Sequence, residues 1–494
     1  MKTIDLNGTW SLWGKPQGSS EDPITLSGSV PGCVLLDLSA QGILPEDLYF
    51  GENLRQAEKY EEFEWWYERT FLAPEERERV FLVFEGVDCI AEYRLNGEII
   101  GRSDNMFISH EFEIGDRLRE GKNTLTVHLF SATRAAAQAN HTVAQMHSWG
   151  DAGETQIRRA PHSFGWDIMP RAVTTGLWRG VRLEVRDEIT FSQLFFEYDG
   201  RSAWVCYELN GDPDALRDTE LSFCGSCGGD STFTRNTGAN GRAAGRVRLP
   251  IQNPKLWWPY GYGDPNIYDV TATILYRGTP VHSAVSSFGL RTVTLERTDL
   301  TDGFNGAFRF LINGVEILCK GSNWVPLDAF HCRDAERYEQ ALALVKDVGC
   351  NILRCWGGNV YEDHAFFDFC DRNGVMVWQD FAMACRIYPQ TEDFQGRLRR
   401  EATAVVRKLR NHASIILWSG DNEVDQVYHS FTDPAQNLLT RQILPQVVAE
   451  NDARRPYLPS SPYISSEAHL AKNKALALSE DHLWGPRDYY KSDI

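Results

Sequence analysis

Residues 414–423 read Ser-Ile-Ile-Leu-Trp-Ser-Gly-Asp-Asn-Glu, a short apolar run that leads directly into polar side chains. An apolar run of this length without alternation is typical of a strand that is buried on both faces, as in a parallel sheet. A helix is predicted just before it, near 394–411, and strand and helix signals alternate from about residue 298 onward. This rhythm favours a parallel sheet and, among parallel folds, a (β/α)8 TIM barrel.

The other predicted barrel elements lie on both sides of this strand. Strands are predicted at 315–320, 351–356, 375–380, 457–463 and 482–485, and helices near 334–348 and 362–373. Six of the eight strands of a barrel are therefore expected before the chain ends at Ile494. We expect an incomplete barrel whose edge strands have unpaired backbone groups and would bind a partner. A truncated product, a frameshifted reading and one half of a split enzyme are the explanations left open.

Two β domains are predicted upstream of the barrel. Up to about residue 188, short alternating strands are broken by turn residues, as in an all-β sandwich, and Asn96-Gly97 between two apolar strands predicts a type I′ hairpin turn. From 189 to 297 the strands recur at the spacing of an immunoglobulin-like sandwich. The predicted domains are thus 1–188, 189–297 and 298–494.

Composition and charge narrow the class of protein. The chain is 42% hydrophobic and 24% charged, as is typical of soluble globular proteins, and it has no apolar run long enough to span a bilayer. Its net charge of -18 makes nucleic acid and anionic membrane surfaces poor partners. The first residues lack a basic and apolar secretory signal, which predicts a cytoplasmic protein.

The eleven cysteines are predicted to be reduced thiols. They are scattered through predicted strands and helices, and none forms a CxxC pair near histidines. Cys224 and Cys227 make one CxxC within a Gly/Ser-rich segment that is typical of a surface loop, not of a zinc or redox site. No metal and no cofactor are expected.

Five of the predicted strand ends bring a tryptophan together with polar residues. These ends are 320–324, 354–359, 378–380, 418–423 and 482–485. Tryptophan faces stack on the C–H faces of sugar rings, while carboxylates and amides bind hydroxyl groups. Since barrel active sites lie at the C-terminal ends of the strands, the pattern predicts a pocket for a neutral carbohydrate. The alternative is that the 15 tryptophans of the chain fill hydrophobic cores.

Several of these motifs resemble those of family 2 glycoside hydrolases of the β-mannosidase type. Residues 422–423 resemble the acid/base signature of the family, and 354–358 resemble its second-strand motif in β-mannosidases. Further matches occur, in the family's order, at 164–167, 170–171, 176–179, 253–259 and 320–324. The resemblance implies a sugar-binding-like jelly-roll domain at the N-terminus and retaining hydrolysis of terminal β-mannose residues.

The resemblance assigns roles to residues at two strand ends. Glu423 would be the general acid that protonates the departing glycosidic oxygen and later the base that activates water, while Asn422 would bind the sugar 2-hydroxyl. Arg354 would face the nucleophile and keep that carboxylate ionised. Facing such a carboxylate, Glu423 is expected to hold its proton near neutral pH. A solvated loop position for Glu423 and a structural ion pair for Arg354 are the alternatives.

Four further residues are expected to bind the substrate. Trp356 and Trp484 would line the subsite for the terminal sugar. Asp167, together with Trp166, would reach in from the first domain and bind sugar hydroxyls. The alternative for Asp167 is that it caps a turn beside a packed Trp166.

Departures from the family's pattern leave the substrate open. The family's usual pair of asparagines before the acid/base glutamate is here Asp421-Asn422, and its tryptophan-glycine after the Trp-Asp motif is Ile168-Met169. A carboxylate at 421 near the subsite favours an amino sugar, so exo-β-glucosaminidase is the alternative, ahead of other family 2 activities. A non-catalytic carbohydrate-binding protein is the alternative from a different class.

The nucleophile is expected to be absent from this chain. In the family it is a glutamate at the end of the seventh barrel strand, and retention needs two carboxyl groups about 5–5.5 Å apart. Glu467, Glu480 and Asp481 are poor substitutes by position. We therefore expect impaired catalysis in the chain itself. The expected partners are a β-linked mono- or oligosaccharide and a separate C-terminal chain or a second copy, with no nucleic acid and no membrane.

Overall fold

The N-terminal domain is a β-sandwich whose strands alternate buried and exposed side chains. In the computed structural model, which describes residues 2–142, 145, 152–300, 306–471 and 480–482, the first ten strands belong to this sandwich. They are β1 (Lys2–Asp5), β2 (Gly8–Pro16), β3 (Ile24–Val30), β4 (Phe63–Leu72), β5 (Val80–Phe84), β6 (Ile90–Leu95), β7 (Glu98–Asp104), β8 (His110–Glu113), β9 (Lys122–Leu129) and β10 (Val181–Val185).

Two antiparallel sheets face each other across this core, in the orders β3-β2-β4-β9-β6-β7 and β1-β10-β5-β8. Leu12, Tyr67 and Val127 of the first sheet and Leu82 and Phe84 of the second are completely buried between them. The predicted hairpin turn is confirmed, because β6 and β7 pair antiparallel around a two-residue turn whose backbone φ angles are 52° and 89°.

A second sandwich of seven strands follows. Its strands are β11 (Thr190–Tyr198), β12 (Ala203–Asn210), β13 (Thr219–Cys227), β14 (Ser231–Gly238), β15 (Ala244–Leu249), β16 (Tyr268–Tyr276) and β17 (Thr279–Phe288). They form the sheets β11-β12-β15 and β14-β13-β16-β17. Cys224 and Cys227 lie on β13, paired with its neighbours, so the surface-loop prediction for them was wrong. All eleven cysteines are free thiols.

The prediction for the first barrel strand was also wrong. Residues 315–317 are β20 (Val315–Ile317), the last strand of a small antiparallel sheet with β18 (Val293–Arg297) and β19 (Phe308–Ile312). The cause is Asn313-Gly314, a two-residue turn with both φ angles positive, which sends the chain back antiparallel to β19. The first barrel strand is instead β21 (Gly321–Trp324).

Five consecutive parallel strands form the barrel sheet in the order β21-β22-β23-β24-β25. The other four are β22 (Ile352–Cys355), β23 (Met376–Asp380), β24 (Ile415–Ser419) and β25 (Tyr457–Leu458). All residues of β23 and β24 are buried, as their apolar sequences predicted. The strand predicted at 482–485 falls on a described residue only at His482, which is not part of a strand, and its remainder lies outside the described residues.

Nine α-helices occur among the described residues. They are α1 (Val34–Ala40), α2 (Ala132–Ala137), α3 (Pro213–Arg217), α4 (Asp334–Asp347), α5 (His364–Asn373), α6 (Glu392–Leu409), α7 (Val424–Phe431), α8 (Leu444–Asn451) and α9 (Ser466–Ala471). Within the described ranges, no helix is both long and apolar enough to cross a membrane.

Helix α6 shows how local sequence positions the barrel. The Thr391 hydroxyl accepts a hydrogen bond from the Phe394 N–H and caps the first turn, which also carries two acidic residues. Apolar residues recur at three- and four-residue spacing along the helix and are buried: Phe394, Leu398, Ala402, Val405 and Leu409. One face of the helix therefore packs against the sheet, and the other face is directed toward solvent.

A buried ion pair joins the first domain to α6. Arg158 and Glu401 are at most 1% exposed, and the guanidinium Nη2 lies 2.6 Å from the Glu401 Oε1. Asn105 Nδ2 and the Tyr361 hydroxyl donate to the same carboxylate at 2.7 and 3.0 Å, and Arg158 also donates to the Ala382 carbonyl. Both carboxylate oxygens and the Arg158 Nε and Nη2 atoms therefore have partners, and the pair fixes the first domain against the barrel.

Candidate active site

Glu423 lies at the mouth of the barrel sheet, four residues beyond the end of β24. It is the N-terminal cap residue of α7 and has a left-handed backbone, with φ of 60°. Its N–H donates to the Ser461 carbonyl at 2.9 Å, and the Asn422 N–H donates to the Met383 carbonyl at 3.0 Å. Such strain, about 1–3 kcal/mol in a non-glycine residue, is typical of active sites where neighbouring contacts fix the backbone.

The Glu423 carboxylate is held ionised. Burial raises its pKa, but the hydrogen bonds from His482 and Cys385 and the charges of His482 and Arg354 lower it more, so the pKa lies below its ordinary value. His482 Nδ1 is 2.7 Å from one oxygen, and the Cys385 thiol donates to the other at 3.2 Å. The neighbours of Glu423 here are cations and not a carboxylate, so the expectation that it holds its proton opposite an ionised carboxylate stays a prediction.

His482 should titrate far above an ordinary histidine. Burial lowers its pKa, but the hydrogen bonds to Glu423 and Glu480 raise it more, to about 9. Because the folded pKa lies above the unfolded value, the stability from His482 is complete below about pH 6.5 and is lost as pH rises through about 9. NMR titration of the imidazole should show it protonated at pH 7.5, whereas the pKa of His429 on α7 is lowered.

Two outcomes decide this prediction. His482→Gln should raise the pKa of Glu423, since it removes the hydrogen bond and charge that lower it. A neutral His482 at pH 7.5 in the folded wild-type chain would contradict the ion pair.

Arg354 forms an ion pair with Asp380, which the sequence analysis did not single out. Its Nη2 lies 2.8 Å from Asp380 Oδ2 and donates to Asn422 Oδ1 at 3.0 Å. Asp380 is fully buried and also accepts hydrogen bonds from Trp378 Nε1 and from the Gly357 N–H. Arg354 thus connects two strand ends and orients the Asn422 amide beside Glu423. Asp380 could have been predicted as a site residue from the sequence, because it lies at the end of β23.

The first domain reaches the barrel mouth through Trp166. Its ring meets Trp356 edge to face, with centroids 5.1 Å apart, and the Arg386 guanidinium lies 5.0 Å above it. The His162 N–H donates to the Gly358 carbonyl, which fixes the two segments together. Asp167 is exposed beside Trp166. Trp166 of the first domain and Trp356 of the barrel are therefore adjacent in space.

Other predicted residues lie elsewhere. Asp421 is completely buried, and its Oδ1 accepts hydrogen bonds from Ser460 and from the Val424 N–H at the start of α7. It therefore supports the loop instead of lining a sugar subsite, and burial raises its pKa well above the ordinary value. Trp418 is also buried completely and belongs to the core. Trp484 lies outside the described residues.

One cluster offers metal-ligating atoms. Oxygen and nitrogen atoms of Asp368, Asp371 and His412 lie within 4.8 Å of one another. His412 Nδ1 is 2.7 Å from Asp371 Oδ2, while Asp371 Oδ1 accepts the Ser414 N–H at 2.7 Å. Ser414 immediately precedes β24, so this cluster lies at the end of the strand opposite to Glu423. Its atoms are engaged with one another, and we assign no metal to it.

Comparison with known families matches three successive parts of the chain. Sequence models match residues 10–179 to the glycosyl hydrolase 2 galactose-binding domain-like family, 209–291 to glycosyl hydrolases family 2, and 306–443 to the family 2 TIM barrel domain. These matches confirm the predicted order of a jelly-roll domain, an immunoglobulin-like domain and a TIM-barrel domain.

Curated relatives include β-mannosidases B of fungi. The protein from Aspergillus clavatus is 32% identical over 502 residues, covering 94% of this chain and 57% of that protein. The one from Aspergillus terreus is 33% identical over 483 residues, covering 92% and 56%. The chain thus spans a little over half the length of these relatives.

Solved structures show the same likeness. A β-D-mannosidase from Dictyoglomus thermophilum superposes with a TM-score of 0.87 at 31% identity, over 98% of this chain and 60% of that one. An exo-chitosanase from Amycolatopsis orientalis, at a TM-score of 0.66 and 18% identity over 93% and 53%, shares the fold. Since models of one family match successive parts of the sequence and β-mannosidases resemble nearly all of it, this chain belongs to glycoside hydrolase family 2.

Proposed function

We propose that this chain carries the acid/base half of a retaining exo-β-glycosidase that removes terminal β-mannose residues. The observation that carries the proposal is the Glu423 carboxylate at the barrel mouth, with Asn422 and Arg354 beside it. The likeness to β-mannosidases favours mannose as the sugar. The edge-to-face pair of Trp166 and Trp356 supports an apolar platform for one sugar ring.

In this proposal Glu423 acts twice. It first donates a proton to the glycosidic oxygen and later removes a proton from the attacking water. With His482 as its partner the carboxylate is ionised, which suits the second step. The first step needs a rise in its pKa, and an anionic second carboxylate nearby would supply that rise. Asn422, oriented by Arg354, would bind the sugar 2-hydroxyl.

The second carboxylate is proposed to lie outside the described residues. Asp380 is paired with Arg354 and fully buried. Glu480 accepts a hydrogen bond from Ser461 and lies 3.4 Å from His482 Nε2. Neither is free to attack an anomeric carbon. The 494-residue chain alone should therefore show almost no turnover of aryl β-mannosides.

This proposal is tested by supplying the part of a related enzyme that the chain does not cover. The chain covers 60% of the Dictyoglomus thermophilum enzyme, and the uncovered remainder of that enzyme, fused or added as a separate chain, should restore hydrolysis of aryl β-mannosides with retention, measured by NMR of the first-formed sugar. Release of the inverted anomer would overturn retention. Faster cleavage of β-glucosaminides than of β-mannosides would overturn the sugar assignment.

Sugar binding should persist without turnover and depend on Trp166. Replacing this half-buried residue by alanine removes a ring that stacks on sugars, an effect of about 0.5–1.5 kcal/mol or roughly two- to twelvefold in affinity. Isothermal titration calorimetry of the chain with a β-mannoside measures the change. Trp204→Ala, a half-buried tryptophan in the second domain, is the matched control. Equal affinity in Trp166→Ala and wild type would remove Trp166 from the site.

A further inference from the structure

A cavity lies at the opposite end of the barrel sheet from Glu423. Its volume is about 270 Å³, and it is enclosed by β11 of the second domain, by residues 288–293 and by the segments that follow α6 and α8. Ala413, just before β24, lies in its wall. The cavity is thus a separate compartment between the second β domain and the barrel.

Four arginines line this cavity, and two of them have no acidic partner among the described residues. Arg455 pairs with Asp452, and Arg454 lies 3.9 Å from Glu197. Arg291 and Arg410 form no ion pair with any carboxylate that the structure describes. The cavity wall contains four arginines and three carboxylates (Glu197, Asp199 and Asp452), so its lining has one positive charge in excess.

Arg291 has an uncommitted nitrogen in this wall. Its Nε and Nη2 donate to the carbonyls of Ala413 and Ile415 at 2.6 and 2.7 Å. Its Nη1 makes no hydrogen bond to a described residue. Burial and the charge of Arg455 lower the pKa of Arg291 to about 9, although the charges of Asp452 and Asp371 oppose this shift.

Arg410 is fixed in the same wall. Its Nη1 and Nη2 donate to the Asn451 carbonyl and to Gln193 Oε1 at 2.8 and 2.9 Å, and the guanidinium lies 3.5 Å from the centre of the Phe195 ring. Burial and the charge of Arg407 lower the pKa of Arg410 to about 10. The guanidinium is rigid and therefore positioned before any ligand arrives.

The acidic residues in the wall are already engaged. Glu197 accepts from Arg246 at 2.9 Å. Asp199 accepts the backbone N–H groups of the next turn at 2.7 and 2.9 Å. Asp452 accepts from Trp418 Nε1 at 2.9 Å as well as from Arg455. Asp452 also raises the pKa of Arg291 and of Arg410 through its charge, but none of the three carboxylates forms an ion pair with either arginine.

We propose that this cavity is a binding site for a phosphate group, with Arg291 Nη1 as a direct donor. Guanidinium groups match the oxygens of phosphate in geometry and charge. The volume corresponds to about nine water molecules at roughly 30 Å³ each, which is enough for phosphate with bridging waters or for a small phosphate ester. Free phosphate and a phosphate ester are the two sources of this ligand.

Calorimetry and thermal unfolding of the whole chain test this site. At constant ionic strength, inorganic phosphate should raise Tm and bind with a saturable isotherm, whereas chloride should not. Arg291→Gln should weaken the binding at least tenfold. Arg235→Gln, which removes an exposed charge from β14 of the same domain, should leave it unchanged. Glycerol phosphate distinguishes the sources, since tighter binding than inorganic phosphate identifies an ester.

A second variant covers a failure of Arg291→Gln to fold. Arg454 is 44% exposed, so Arg454→Gln should fold and should weaken phosphate binding severalfold. No phosphate-specific stabilisation in wild type, or equal affinities in wild type and in the folded arginine variants, would overturn the proposal.

Discussion

Glu423→Gln is expected to abolish hydrolysis of unactivated β-mannosides by this chain when it is supplied with the part of the Dictyoglomus thermophilum enzyme that it does not cover. A glutamine cannot donate a proton to the leaving oxygen or accept one from water. General acid–base catalysis contributes about 10²–10⁴-fold to each such step. The loss should appear in kcat/KM for a disaccharide, measured by release of free mannose.

Leaving groups and external nucleophiles sharpen this test. Aryl mannosides with good leaving groups need little protonation, so their glycosylation step should be slowed much less. Azide should then restore turnover, because it attacks the intermediate without help from a base. Glu467→Gln, an exposed glutamate on α9, is the matched control and should keep full activity. An unchanged rate of Glu423→Gln on unactivated disaccharides would show that another residue is the acid.

Glu401→Gln is expected to destabilise the protein by about 3–5 kcal/mol, because it leaves the buried Arg158 guanidinium without its counter-charge. The two side chains are almost completely buried, so water cannot replace the lost partner. Tyr361 and Asn105, which now donate hydrogen bonds to the carboxylate, would then lie beside an amide. Urea unfolding followed by tryptophan fluorescence measures the change at the transition of the barrel.

Two further variants separate the buried pair from charge in general. Asp393→Asn removes an exposed carboxylate from the same helix, and its effect should stay below about 1 kcal/mol. Arg158→Met combined with Glu401→Met removes both charges, and it should be more stable than Glu401→Gln alone. A loss below 1 kcal/mol in Glu401→Gln would mean that the pair contributes little to the docking of the domains.

Local patterns predicted most of the fold. The uninterrupted apolar run of β24 predicts a strand buried on both faces. The N-terminal cap and the three- and four-residue spacing of apolar side chains in α6 predict a helix buried on one face. The same turn signal that located the β6-β7 hairpin also occurs at Asn313-Gly314, where it was overlooked. The first barrel strand was predicted at the wrong residues because this turn signal was not used, although the sequence contains it.

The site was less predictable because its contacts are distant in sequence. Glu423 was placed by its strand, but its protonation depends on His482, 59 residues away. Asp421 is buried against Ser460, 39 residues away, and nothing in its own neighbourhood distinguishes it from a pocket residue. Trp418 and Trp356 both accompany strand ends, but Trp418 is buried against Phe381 of the barrel, whereas Trp356 meets Trp166 of the first domain.

The Arg158 and Glu401 pair also bears on how the protein is made. The ribosome adds the arginine 243 residues before its partner, which is a delay of roughly 10–50 s at about 5–20 residues per second. During that interval the emerging first domain carries a guanidinium that can only be solvated by water. A nascent chain stalled before α6 therefore keeps this guanidinium hydrated, and the contact between the first domain and α6 forms only after residues 392–409 have left the exit tunnel.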